Sequence, residues 1–226
     1  MKKKPIVWVM FSVVFISLGG LVLLAESNSV VPKTMTKMVI ADIGPDVPKG
    51  SFAARPKTTY LSGTRYGRIE EEDDPKEKLH QLILVSEPDI WMINLADKTA
   101  KHMVDPGPTF DLHFPAFEVK GLPKLLFSFE LGHEFDFFEK VSKKKKYPKV
   151  VDGKKYDSYS VGVGDYTVML LTEPGKEIPI FAFLFNKDAV VDALEYLNYQ
   201  AGLPFNASLF KVPAGISVSE DKGEKN

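Results

Sequence analysis

The chain has 226 residues, 44% hydrophobic and 26% charged, with 29 Lys+Arg against 30 Asp+Glu and no cysteine. Zero cysteine excludes disulfides, thiolate zinc sites, iron–sulfur clusters, a cysteine nucleophile and acylation of a cysteine as a lipid anchor. The balanced charge exerts no general pull on nucleic acid, and 16 Gly, 16 Pro, 16 Phe, 8 Tyr and 2 Trp spread along the chain suit a β-rich domain with many turns.

Lys2, Lys3 and Lys4 precede an uncharged run from Pro5 to Ala25, the basic-then-apolar order of an export signal. The stretch from Ile6 to Leu24 is also long enough to span a bilayer. Residues 1–25 therefore read as a signal peptide cut after Ala25 or as an uncleaved N-terminal anchor. Both readings put the remainder outside the cytoplasm, in the periplasm or held at the inner membrane. This segment holds three Lys and no acid, so without it 26 bases face 30 acids, a net charge of −4. Residues 26–34 read as a polar tether, 35–218 as the folded domain and 219–226 as a polar tail.

In chain order, Thr36 to Ile43 is the first strand candidate, and the turn-rich stretch Gly44 to Gly50 (GPDVPKG) is a loop. Lys57 to Glu70 reads as a second strand, followed by the acidic run Glu70 to Asp74, expected to be solvated. Leu82 to Val85 is a short apolar strand. Asp89 to Leu95, the turn Ala96-Asp97-Lys98 and Thr99 to Val104 form a hairpin. Leu122, Leu125, Leu126 and Phe129 follow the i, i+3, i+4, i+7 rule of a helix stripe, continuing loosely to Phe138 with a break at Gly132. Lys143 to Lys155 reads as a lysine-rich loop before a strand over Tyr156 to Val163. Tyr166 to Thr172 and Ile178 to Phe185 then form a second hairpin about Pro174-Gly175. Asp188 to Tyr199 has helix propensity, yet Val191, Ala193, Leu197 and Tyr199 would also line one face of a strand.

No catalytic constellation emerges. His80, His102, His113 and His133 are scattered, and GHEFDFF at 132–138 lacks the second histidine of a zinc helix. No Gly-x-Ser-x-Gly elbow or phosphate-binding glycine loop appears. Neither a metal nor a cofactor is expected. Lys143, Lys144, Lys145 and Lys146 form the strongest charge cluster, read as a solvated loop or as a contact for anionic lipid headgroups. The exported, acidic domain argues against nucleic acid as a partner. Asn206-Ala-Ser208 fits a glycan acceptor, a pattern short enough to arise by chance. The aromatics carry more. Phe181, Phe183 and Phe185 share one strand face, with Ala182 and Leu184 on the other. A strand apolar on both faces is expected to be covered on both. Such richness fits a core or a cleft for an acyl chain, the cleft being lined by Trp91, Leu122, Leu126, Phe129, Phe181 and Phe183.

Three stretches, TYLSGTRYGRIE at 59–70, DIWMINLADKTAKHMV at 89–104 and LPFNASLFKVPAGISV at 203–218, resemble in their order the LolA-like superfamily of periplasmic proteins. The resemblance covers about residues 35–218. It implies an α+β, β-rich fold: an incomplete, strongly curved antiparallel β-barrel with helices covering the concave face. It further implies that Leu122 to Lys140 forms part of a lid and that Asp188 to Tyr199 is a strand. Arg65 and Arg68 lie in the strand where the carriers hold a lid-latching arginine, and the carriers' long N-terminal helix is missing here. By this resemblance the chain is a non-enzymatic periplasmic protein holding a lipid or lipoprotein acyl chain. The alternative is a sensor or interaction domain that docks a protein partner and fills its core with its own aromatics.

Overall fold

The computed structural model describes residues 32–220, apart from 52, 53, 106 and 108–110. The expected signal at 1–25, most of the 26–34 tether and residues 221–226 lie outside the described residues. Twelve strands form one sheet: β1 (Thr34–Asp42), β2 (Lys57–Ser62), β3 (Tyr66–Glu71), β4 (Gln81–Ser86), β5 (Asp89–Asn94), β6 (Thr99–Val104), β7 (Tyr147–Val151), β8 (Lys154–Val163), β9 (Tyr166–Thr172), β10 (Pro179–Asn186), β11 (Ala189–Pro204) and β12 (Ser217–Glu220). Between β6 and β7 lie two helices, α1 (Lys124–Phe127) and α2 (Glu134–Ser142). The spatial order is β12-β6-β5-β4-β3-β2-β1-β11-β10-β9-β8-β7. The sheet is open and curved, and does not close into a barrel.

Every neighbouring pair is antiparallel except β12 with β6. The two hairpins read from turn chemistry are present as β5–β6 and β9–β10, and Asp188 to Tyr199 lies within β11 apart from its first residue. Its partners on both sides supply a ladder that outweighs helix propensity.

Three elements differ from expectation. Lys57 to Glu70 is a hairpin of two strands, because the chain reverses at Gly63 to Arg65. The lysine-rich stretch after α2 is a strand, β7, paired with an N-terminally lengthened β8. The helical stripe breaks at Gly132 as expected, but its first part is helical only over Lys124–Phe127, leaving Leu122 and Phe129 outside α1. Gly132 stands between α1 and α2 with φ +79°, and a Cβ there would come within 3.2 Å of Leu61 Cδ1 and Met38 Cε. The chain turns there because only glycine combines that backbone angle with so close an approach.

Facing residues on paired strands share a sheet face, so the register separates two apolar layers. On the helix face, Met38, Ile40, Leu61, Tyr159, Val168, Leu170, Ala182, Leu184, Leu194 and Tyr196 pack against Phe117, Leu122, Leu126, Phe129, Phe135, Phe137 and Phe138 of the cover. On the opposite, outer face, Leu82, Leu84, Ile93 and Ala100 pack with Trp91, Leu95, Val212 and Ile216. The crossover is legible at β2–β3: Leu61 pairs with Gly67 on the helix face, while Tyr60, Arg68 and Leu84 follow one another on the outer face. Gly67 is needed there too. A Cβ would meet Leu112 Cδ2 and a Phe114 ring carbon at 2.8 Å, where the segment after β6 crosses β3. The sheet is thus covered on one face by helices in one half and on the other face by its C-terminal segment in the other half.

Candidate functional site

The six residues expected to line a cleft fall in three places. Leu122, Leu126 and Phe129 come together beneath the helical cover, at 5%, 1% and 0% exposure. Phe181 and Phe183 do not join them. Leu170, Ala182 and Leu194 align on the helix face, which turns Leu171, Phe181, Phe183 and Glu195 to the outer face. Trp91 is also on the outer face, but six strands along the sheet, stacked on His102 at 5.1 Å and packed on the C-terminal segment. Alternation had signalled that both faces of β10 are apolar; which face meets the helices is a tertiary property that alternation does not carry.

Beneath the cover the space is occupied by rings. Phe129 lies 5.8 Å from Phe117, 5.3 Å from Phe137 and 5.7 Å from Phe138. Phe138 and Phe135 in turn meet Tyr159 of β8 at 5.5 and 5.8 Å. Stacked, tilted and edge-on contacts of this kind are those aromatic side chains adopt in a close-packed interior. One polar group is sealed in with them. Glu134, the first residue of α2, is fully buried and accepts hydrogen bonds from the Tyr196 hydroxyl at 2.8 Å and the Gly132 amide at 2.8 Å. Burial pushes its carboxyl above the ordinary range despite those donors, and burial beside Glu134 pushes Tyr196 and Tyr199 up as well. The result is a polar pin between the start of α2 and β11, a feature that no residue spacing announces.

The outer face of the first half is different. Tyr156, Phe181, Phe183 and Phe185 form a ladder of rings at 6.2, 5.9 and 6.1 Å. All four are half-buried. Met169 and Leu171 of β9 flank them on the same face. The expected second cover over β10 is not found among the described residues: neither the helix-covered cluster nor the cluster under the C-terminal segment includes this ladder. The side chains rest on one another as cross-strand and same-face neighbours.

A cavity of about 310 Å³ opens farther along the outer face, against β1, β2 and β3, and its wall includes Thr58, Glu70, Glu71, Glu72, Asp73 and His80. Burial opposes ionisation of Glu70, but the Arg68 guanidinium at 2.6 Å and His80 at 3.0 Å hold its carboxyl below the usual value. Burial pushes Glu71 up. This acidic lining suits no acyl chain. Arg68 also donates to the Leu209 carbonyl at 3.1 Å and Arg65 to the Glu87 carbonyl at 3.2 Å, so both are engaged in holding loops.

The four histidines each meet one carboxylate: Glu70, Asp89, Glu130 and Asp136 for His80, His102, His113 and His133. Among the described residues no three metal-ligating groups converge. Of the lysine cluster, Lys144 pairs with Glu177 at 3.0 Å and Lys146 with Asp157 at 2.7 Å. Asn206 turns its Oδ1 onto Ser208, accepting from the amide at 3.1 Å and the hydroxyl at 2.7 Å.

No family model and no curated protein matches the sequence. Solved structures give distant likenesses. An uncharacterised conserved protein from Thermus thermophilus aligns over 83% of this chain and 91% of its own, at 8% identity and TM-score 0.44. MucB in complex with MucA(peri) aligns over 80% and 55%, at 12% identity and TM-score 0.36. A LolA superfamily protein from Nitrosomonas europaea aligns over 80% and 90%, at 12% identity and TM-score 0.30. At these scores they carry no functional inference.

Proposed function

We propose that this chain is an extracytoplasmic, non-enzymatic binding domain that docks a protein partner on the outer aromatic face, with the helix-covered layer acting as a filled core. One observation carries the reading. Leu126, Phe129 and Phe138 are at most 1% exposed inside a ring-packed layer, whereas Phe181, Phe183 and Phe185 are only partly buried and belong to neither core cluster of the described residues. Contiguous partly exposed apolar side chains suit an interaction site, and rigid rings bury contact area at low entropic cost. The extracytoplasmic placement rests on the residues of segment 1–25, with its basic start and long apolar run.

Acyl-chain binding is the second reading. Leu122, Leu126 and Phe129 favour it, since they lie in and beside α1 in one buried cluster with the sheet. It requires the cover to lift and its rings to be displaced. A chain entering there would gain about 0.8 kcal/mol per buried CH₂, set against the ring-on-ring packing that it displaces. Site-specific photo-crosslinking in the producing cell separates the two. A benzophenone amino acid at Phe183 should give a protein adduct that Phe181→Ser removes, and at Leu126 should give none. A lipid adduct at position 126, with none at 183, would reverse the order.

A further inference from the structure

The β7–β8 hairpin forms one edge of the sheet, and β7 is exposed along its whole length. Tyr147, Val150 and Val151 are 61%, 63% and 37% exposed. Lys154 and Lys155 stand opposite Val151 and Val150 at the tip, while Lys143 and Lys145 precede the strand at its other end, and for none of the four does a carboxylate among the described residues come within ion-pairing distance. Lys144 and Lys146, by contrast, are neutralised by Glu177 and Asp157. Lysines on an open edge strand are explained by protection against stray strand pairing. That explanation does not reach the valines, which add exposed apolar area at the same place. Basic side chains interleaved with apolar ones are the chemistry that seats on an anionic bilayer surface.

The position of the hairpin supports this occupant. β1 starts at Thr34 opposite Pro204 of β11. Following the register through β10, β9 and β8 puts the turn between Val151 and Lys154 at that same end of the sheet. The chain thus enters the domain, at Thr34, at the end that carries the basic tip. We propose that the β7–β8 tip docks on anionic phospholipid headgroups, with Lys154 and Lys155 meeting phosphates and Val150 and Val151 reaching the acyl boundary. This surface adjoins the aromatic ladder at Tyr156, but its salt- and lipid-dependent test does not rely on partner docking there.

The lack of cysteine gives a clean test. The full chain carrying Val150→Cys, labelled with an environment-sensitive fluorophore, is reconstituted in phosphatidylcholine vesicles with and without phosphatidylglycerol. The label should report an apolar environment only with phosphatidylglycerol, and about 0.5 M salt should return it to water by screening. Lys154→Gln with Lys155→Gln should lower the docked-to-undocked ratio roughly thirtyfold. A label at Lys101→Cys, in β6, should read water throughout. Water-like emission at position 150 on the anionic vesicles, an equal change on phosphatidylcholine alone, or a signal indifferent to salt would overturn the proposal. The salt titration uses unmodified lysines, so it decides even if the glutamine pair unfolds.

Discussion

Replacing Phe129 by alanine removes a ring that is 0% exposed and touches three others at 5.3 to 5.8 Å. Deleting a buried phenylalanine costs about 3–5 kcal/mol, from lost transfer energy and from the cavity left behind. Phe117, Phe137 and Phe138 come from a short crossing segment and from α2, and α2 is pinned at its start by Glu134 to Tyr196. The neighbours can therefore collapse only partly into the space, which places the expected loss near about 4 kcal/mol. In urea, at a slope of about 2 kcal/mol per molar, the midpoint should fall by about 2 M. Trp91 fluorescence and far-UV circular dichroism would follow the transition. The variant should also admit a small apolar probe into a space that the parent keeps filled. A loss under about 1.5 kcal/mol, accompanied by stronger uptake of a long acyl probe, would mean that these rings line an open cleft. The filled-core argument would then be wrong.

Three further outcomes follow from the same geometry. Phe183→Ser on the outer face should cost about 1–3 kcal/mol, less than Phe129→Ala because the ring is only partly buried, while abolishing the photo-adduct at the neighbouring Phe181 position. Gly132→Ala should destabilise by about 1–3 kcal/mol in thermal or urea melts, since its φ of +79° and the 3.2 Å approach of Leu61 and Met38 both oppose a Cβ. Glu87, 7% exposed, is pushed up to about 7 by burial and by the adjacent Asp105, from an ordinary 4.5. The folded state thus keeps a proton that the unfolded chain releases, so this stabilisation is complete below about pH 4.5 and is lost as pH rises through 7. Allowing for solvent screening, urea melts should show about 1–2 kcal/mol less stability at pH 8 than at pH 5 from this group, and Glu87→Gln should remove that component.

The hairpins β5–β6 and β9–β10 were legible because Asp97-Lys98 and Pro174-Gly175 stop two alternating runs with residues that suit a reversal. The β2–β3 reversal was not. Its turn, Gly63-Thr64-Arg65, lies between residues that favour strands, so the run reads as continuous. β7 escaped notice because lysines surround it, and its strand state comes from pairing with β8 rather than from its own preferences. The site divides along the same line. Leu122, Leu126 and Phe129 cluster because they are close in sequence on one apolar stripe. Phe181 and Phe183 lie on the other face, because the register from β8 to β11 decides which face of β10 lies under the helices. The Glu134–Tyr196 pin joins residues 62 positions apart and has no local signature.

Native mass spectrometry of the full chain extracted from its own membranes tests the central claim most directly. A filled helix-covered layer predicts the mass of the chain with no retained lipid. An acyl lipid held at one equivalent, and lost on Leu126→Glu while the fold persists by circular dichroism, would contradict it.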